Sequence, residues 1–203
     1  MADGSHGFEA AEAPVLAMTG PGEFRGHLDV VGTGNTLFIG EGAWLDGQVM
    51  IRGDNNRIVI GAFASVTACI QIVTGDACLD IGPGSGVNKS CFNLNEPGSI
   101  RLGAGCNTAH EVWFSNSDMH PIYDVATGER INAARDIVLE DDVWVGFRST
   151  ILKGATIGRG SMIGAGSTVS GEIGPATIAA GSPARPIRTG VCWKWCFDQP
   201  FDA

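Results

Sequence analysis

Residues 137–173 read IVLEDDVWVGFRSTILKGATIGRGSMIGAGSTVSGEI. From Leu139 onward a large aliphatic residue returns every six positions: Leu139, Val145, Ile151, Ile157, Ile163 and Val169. Four residues after each come Val143, Ser149, Ala155, Ser161, Ser167 and Ile173, mostly small, and Gly or Asp commonly fills the positions between. A strand repeats its faces every ~2 residues and a helix every ~3.6. A period of six fits neither as a long element. It fits short strands, each followed by a corner, with the aliphatic side chain pointing inward and the small residue filling the same cramped interior.

The earlier half keeps the same step but groups it. The inward positions run Met18, Phe24, Val30; Ile39, Leu45, Ile51; Ile60, Val66, Ile72; Ile81, Val87 and a polar Asn93; then Leu102, Thr108 and Phe114. From trio to trio the offset is 21 residues, an 18-residue triangular turn with three extra residues at one corner. Those corners read GTGN, GDNN, TGDA and NEPG, all rich in turn formers. A further apolar residue precedes each trio by two positions: Leu16, Leu37, Ile58, Leu79, Ile100 and Ile137. Three short strands per turn, stacked at ~4.8 Å, predict a triangular prism of about seven to eight coils, a column ~35 Å long. One coil buries little by itself; stacking makes the core continuous, and the ends require caps. The irregular residues 1–14 and the tail VCWKWCFDQPFDA are the candidate caps.

The rhythm fails once, at SNSDMHPIYDVATGERIN, residues 115–132. Six residues past Phe114 is His120, at the corner that already carries the three extra residues. The next trio is due at 123 and starts at Leu139, so 16 residues have been inserted there. A corner lies on the surface and the entropy of loop closure grows slowly with length, so the coils tolerate the insertion.

Thirty glycines in 203 residues suit a fold of many tight turns. Aromatics are only 7%, which leaves Val, Ile, Leu and Ala to build the core. The net charge of −9 excludes a nucleic-acid or anionic-membrane partner for the surface as a whole. The charge is uneven, however. Residues 143–195 hold six basic side chains against one acid, while the first 134 hold six against fifteen. A basic region on an acidic protein suggests a small anionic ligand. The N-terminus shows no basic segment followed by an apolar core, and no apolar run approaches the ~18 residues of a membrane span. The six cysteines lack paired CxxC spacing and read as reduced thiols of a cytoplasmic protein.

The hexapeptide repeats, the SDMHPIYD…TGERIN loop, the DDVWVG that follows and the IAAGSPARPIR close together resemble the hexapeptide-repeat acyltransferases, over residues 15–195. The likeness is nearest to the sugar and capsular-polysaccharide O-acetyltransferases. It implies an all-β fold, a left-handed parallel β-helix over 15–189, with the inserted loop at 115–136 and a C-terminal extension over 190–203. It also implies a cytoplasmic homotrimer with active sites between neighbouring subunits, acetyl-CoA along the groove and the acceptor near the loop.

Residue roles follow from the same resemblance. His120 aligns with the catalytic histidine, a general base on the acceptor hydroxyl, and imidazole's ordinary pKa near ~6.5 suits that task. Asp118, Asn116 or a backbone carbonyl could orient the ring. Arg130 could instead pair with Asp118 or Asp124 and hold the loop closed. Trp144 matches the Trp beside the thioester, where an N–H could stabilise an oxyanion; packing under the loop is its other reading. Gly146, Phe147, Ala165, Ser170, Arg185 and Arg188 match positions along the CoA groove, with the arginines suited to phosphate. Asn88, Tyr123 and Arg130 are the candidate acceptor contacts. Phe147 stands where relatives carry a small residue, and Gly171 where many carry Lys; Arg159 could replace that phosphate contact.

Other readings remain open at this level. A γ-type carbonic anhydrase on this fold needs three zinc-binding histidines, and the four here, His6, His27, His110 and His120, show no metal-motif spacing, so no metal is expected. Xenobiotic acetyltransferases share the loop histidine, the base and CoA site of an amino-sugar N-acetyltransferase could look alike, and a non-enzymatic solenoid scaffold would bind no acetyl-CoA.

Overall fold

The structure, a computed structural model, describes residues 16–198. The cap expected at 1–14 lies outside them, as do the last residues of the tail. Among the described residues there is no helix, and twenty strands wind a parallel solenoid.

One side of the prism is an eight-stranded parallel sheet: β1 (Leu16–Thr19), β3 (Asn35–Ile39), β5 (Arg57–Ile60), β7 (Ala77–Ile81), β9 (Gly98–Leu102), β12 (Ile137–Leu139), β15 (Thr156–Ile157) and β18 (Glu172–Ile173). In the first four coils a single long strand covers both remaining sides: β2 (Glu23–Val31), β4 (Trp44–Arg52), β6 (Ser65–Ile72) and β8 (Gly86–Leu94). Below β8 these sides separate. The first half of β8 heads the column β10 (Asn107–Thr108), β13 (Trp144–Val145), β16 (Met162–Ile163) and β19 (Thr177–Gly181). Its second half heads β11 (Trp113–Ser115), β14 (Thr150–Leu152) and β17 (Thr168–Val169). A final strand, β20 (Ala184–Thr189), folds back antiparallel to β19.

The inward residues read from the six-residue step form one core: Leu45, Ile51, Ile60, Val66, Ile72, Ile81, Val145, Ile151 and Ile157 are fully buried. Asparagines finish the three-residue corners. Asn35 Oδ1 accepts from Asn56 N (3.0 Å), and Asn56 Oδ1 accepts in turn from Ala77 N (2.9 Å). Their amides donate to the carbonyls of Gly53 (3.0 Å) and Thr74 (2.8 Å), so buried backbone groups at each corner find partners.

Two details of register depart from the spacing. Met18 pairs with Leu37 rather than with Ile39, while Phe24 keeps its partner Leu45. The first coil therefore turns its corner at Gly20–Gly22 two residues sooner, and Gly22 N bonds Ile39 O at 3.0 Å. Only glycine fits there: a Cβ on Gly20, whose φ is +95°, would meet Ile39 O at 2.1 Å. The second departure is at Asn93. An irregularity in β8 around Lys89 (φ 46°) adds one residue, so Val66 faces Val87 but Ala68 faces Ser90. Phe92 and Leu94 thereby take the interior rungs in place of Asn93, and Phe92 stacks on Phe114 at 4.7 Å.

Candidate active site

The inserted loop begins where an asparagine corner would otherwise stand. Asn116, fully buried, accepts from Asn95 N (3.1 Å) and donates to Glu96 O (2.8 Å), as the earlier corner asparagines do. Beyond it the chain leaves the prism as a small hairpin. Tyr123 bridges Arg130 antiparallel, and Ile131 N bonds Ile122 O (2.9 Å). Asp124 closes the tip by accepting from the amides of Ala126 and Thr127, both at 2.8 Å, which hold its carboxyl below the usual range.

Three buried or half-buried groups clamp this hairpin to the coils. Arg130 pairs with Glu96 through two 2.7 Å bonds, and Ser117 Oγ donates to the same carboxylate at 2.5 Å. Together they depress Glu96 to about 2. Arg130 thus holds the loop closed through Glu96, not through Asp118 or Asp124, because those carboxylates are already occupied. Lys153, 13% exposed, reaches Asp118 Oδ2 (2.5 Å) and the carbonyl of Asn132 (2.8 Å), and this ammonium lowers the Asp118 pKa further than Asn132 does. Asn132, 8% exposed, donates from Nδ2 to Asp118 Oδ2 (2.9 Å) and to His120 O (2.8 Å). Its Oδ1 accepts from Ile122 N (2.7 Å).

His120 is therefore fixed at its backbone, and its side chain is exposed. The imidazole makes no hydrogen bond with Asp118 or Asn116 among the described residues; Asp118 accepts from Lys153 and Asn132 instead. Lys153, Asn132 and Glu96 are the residues that motif reading missed. Asn132 closes the quoted loop and is buried in an otherwise exposed stretch, a signal that periodicity cannot register.

Trp144, Gly146, Phe147 and Ala165 come together elsewhere, on the column β13–β16–β19. With Ala109, Met162, Ile163, Gly164 and Ile178 they line an almost wholly apolar groove of about 380 Å³. Two glycines let neighbouring coils pack closely beneath it. A Cβ on Gly146 would lie 2.7 Å from Ala165 N and from Ile163 O, and one on Gly164 would lie 2.8 Å from the Ala180 methyl. Trp144 and Phe147 are 41% and 43% exposed at its mouth. Phe147 is covered on one side by Arg148, whose guanidinium lies 4.8 Å from the ring centre and pairs with Glu111. Arg188 pairs with the groove residue Ile178 across β19–β20 and does not itself line the groove. Ser170 and Arg185 line a separate recess of about 250 Å³, and Arg185 bonds the carbonyl of Ala184. Arg159 lies away from the groove, paired with Asp141 at 2.8 Å. Asn88 is at the β8 irregularity and donates to Thr108 O (2.9 Å), a corner role. Tyr123 projects from the hairpin, 56% exposed. Among the described residues no cluster of three or more His, Cys, Asp or Glu could hold a metal ion, and no helix is long and apolar enough to cross a membrane.

The model of bacterial transferase hexapeptide repeats (six repeats) matches residues 136–171, the stretch that carries seven of the nine residues lining this groove. Over that stretch the chain is similar to the hexapeptide-repeat transferases. Its similarities extend well beyond the matched repeats. It is 31% identical over 129 residues to the polysialic acid O-acetyltransferase of Neisseria meningitidis, covering 63% of this chain and 60% of that one. It is 33% identical over 148 residues to the polysialic acid O-acetyltransferase of Escherichia coli O1:K1 / APEC, covering 70% and 41%. The chain thus spans less than two thirds of the length of either relative. The crystal structure of the polySia-specific acetyltransferase NeuO superposes with a TM-score of 0.80 at 28% identity, covering 92% of each chain.

Proposed function

We propose that the chain is an acetyl-CoA-dependent O-acetyltransferase that moves an acetyl group to a hydroxyl of a sugar or surface polysaccharide, in the cytoplasm. The observation that carries this reading is the apolar groove floored by Gly146 and Gly164, with Trp144 at its mouth. An apolar groove suits an extended pantetheine arm, and Arg188, strand partner of the groove residue Ile178, suits phosphate. The relatives named above as polysialic acid O-acetyltransferases supply the acceptor class.

In this mechanism the exposed imidazole of His120 takes the proton from the acceptor hydroxyl as the oxygen attacks the thioester carbonyl. The Trp144 segment faces the oxyanion that develops. The imidazolium then returns the proton to the departing thiolate. The loop leaves the corner after β11, whereas the groove opens on the β13–β16–β19 column. No hydrogen bond, ring contact or shared cavity joins His120 to Trp144 among the described residues. A homotrimer in which the loop of one subunit meets the groove of the next completes the site.

The test is release of CoA thiol with nucleotide sugars, free sugars and polysaccharides as acceptors, together with calorimetry of acetyl-CoA. His120→Ala should lower kcat by ~10²-fold or more with acetyl-CoA affinity unchanged. No binding at millimolar acetyl-CoA refutes the reading, and turnover that survives His120→Ala removes His120 as the base.

A further inference from the structure

The C-terminal segment does more than close the solenoid. After β20 it climbs back over successive coils. Val191 N bonds Ala176 O (3.1 Å), the Trp193 indole donates to Asp142 O, and the Trp195 ring rests where a Cβ on Gly86 would be 3.0 Å away. Between segment and coils it leaves a cavity of about 520 Å³, lined by Trp193, Trp195, Lys194, Arg159, Gly160 and Ala176 among others. The floor is open: nothing lies within 4 Å of a Cβ built on Gly160.

We propose that this cavity is a second sugar subsite, for a pyranose that carries a carboxylate, and that it holds the unit next to the one being acetylated. The proposal rests on the acetyltransferase reading for its purpose, although not for its geometry. One face of a pyranose presents C–H bonds and packs on an indole, while its rim of hydroxyls and any carboxylate require polar partners. Both kinds of wall are present. Trp193 and Trp195 lie 5.4 Å apart, tilted at 53°. Lys194 makes no ion pair among the described residues, and Arg159 gives Asp141 only its Nη2, leaving other N–H groups for an anion.

Position links the cavity to the chemistry. Trp193 lies 6.1 Å from Trp144, so a continuous line of indoles leads from the mouth of the acetyl groove into the cavity. A segment serving only as a strap would bury its aromatics against the prism. Here Trp195 remains 48% exposed and Phe197 wholly so. The volume falls in the ~300–1,000 Å³ range of small-ligand sites. An acidic polymer can thus present one unit at the groove and its neighbour between the tryptophans.

The experiment uses the full chain and polysialic acid oligomers as the probe. Calorimetry measures oligomer binding without acetyl-CoA, and kinetics measure KM for the oligomer, for the single sugar and for acetyl-CoA. Lys194→Met and Trp195→Ala should each weaken oligomer binding and raise its KM at least tenfold. They should leave kcat, the acetyl-CoA KM and the KM of the single sugar unchanged. Added salt should weaken wild-type binding more steeply than that of Lys194→Met. Absent oligomer binding, or equal binding by wild type and both variants, overturns the subsite. Binding that is lost in the variants while wild type transfers no acetyl group upholds the subsite and overturns the acetyltransferase reading instead. Lys194 is exposed, so its variant keeps the test decisive if Trp195→Ala does not fold.

Discussion

Replacing Asn132 by Ala asks whether the inserted loop is held in place or merely attached. The side chain makes four hydrogen bonds: to Asp118 Oδ2 (2.9 Å), to His120 O (2.8 Å), from Ile122 N (2.7 Å) and from Arg130 Nε (3.3 Å). The first three have ordinary lengths and the fourth is stretched. At about 1 kcal/mol net for each good bond, their loss weakens the closed loop by about 3 kcal/mol. That is roughly a hundredfold in the opening equilibrium, at ~1.4 kcal/mol per factor of ten. Lys153 and Glu96 still anchor the two ends, so the loop stays tethered while His120 loses its backbone fixation. The expected result is a fall in kcat of about 10- to 100-fold, with a much smaller change in the acetyl-CoA KM. Thermal denaturation should be nearly unaffected, because no core side chain is touched. CoA thiol release gives the kinetics, and amide hydrogen exchange over residues 119–131 reports the opening. Wild-type exchange in Asn132→Ala would refute the hydrogen-bond arithmetic. Fast exchange with wild-type turnover would refute the claim that loop closure presents the base.

Three further outcomes follow from the same geometry. Glu96 ordinarily titrates at 4.5 and is depressed to about 2, so its contribution to loop closure is complete above pH 4.5 and is lost as pH falls toward 2. The Ser117 and Arg130 amide shifts should follow that titration in wild type, and Glu96→Gln should remove it while the Asp124 titration at the hairpin tip remains. Gly146→Ala drives a methyl to 2.7 Å from backbone atoms of the next coil, so the acetyl-CoA KM should rise about tenfold or more. An unchanged KM would remove the apolar groove from the donor site. Phe114→Ala empties half of the Phe92 stack and should cost about 3–5 kcal/mol in denaturant unfolding.

The coil was legible in the sequence because a solenoid interior is cut to one shape at every rung. A large aliphatic residue at Val145 and again at Ile163 answers the same local demand, and that demand has a period. Register was less legible where the period is interrupted by a single residue. The extra residue near Lys89 leaves the hydrophobic spacing on both sides intact and only changes which of Phe92 and Asn93 faces inward, and period alone does not locate such a bulge. The corner at Gly20–Gly22 misleads for the same reason, since its shortening is compensated before Phe24.

The loop was legible as an insertion and opaque as a structure. Two of its three fastenings come from different coils, Glu96 from the coil before and Lys153 from the coil after; the third, Asn132, belongs to the loop itself. The Glu96 and Lys153 contacts join residues 34 and 35 apart in sequence, and neither position carries a motif of its own. The arrangement has a consequence for function. Neighbouring coils stack at a fixed ~4.8 Å, so a loop pinned to two of them takes its height along the prism from the core. His120 is thus referenced to rungs that also set Trp144 and Gly146. Extra loop length at the hairpin tip, between Asp124 and Glu129, lies beyond all three fastenings and leaves the height of the base unchanged.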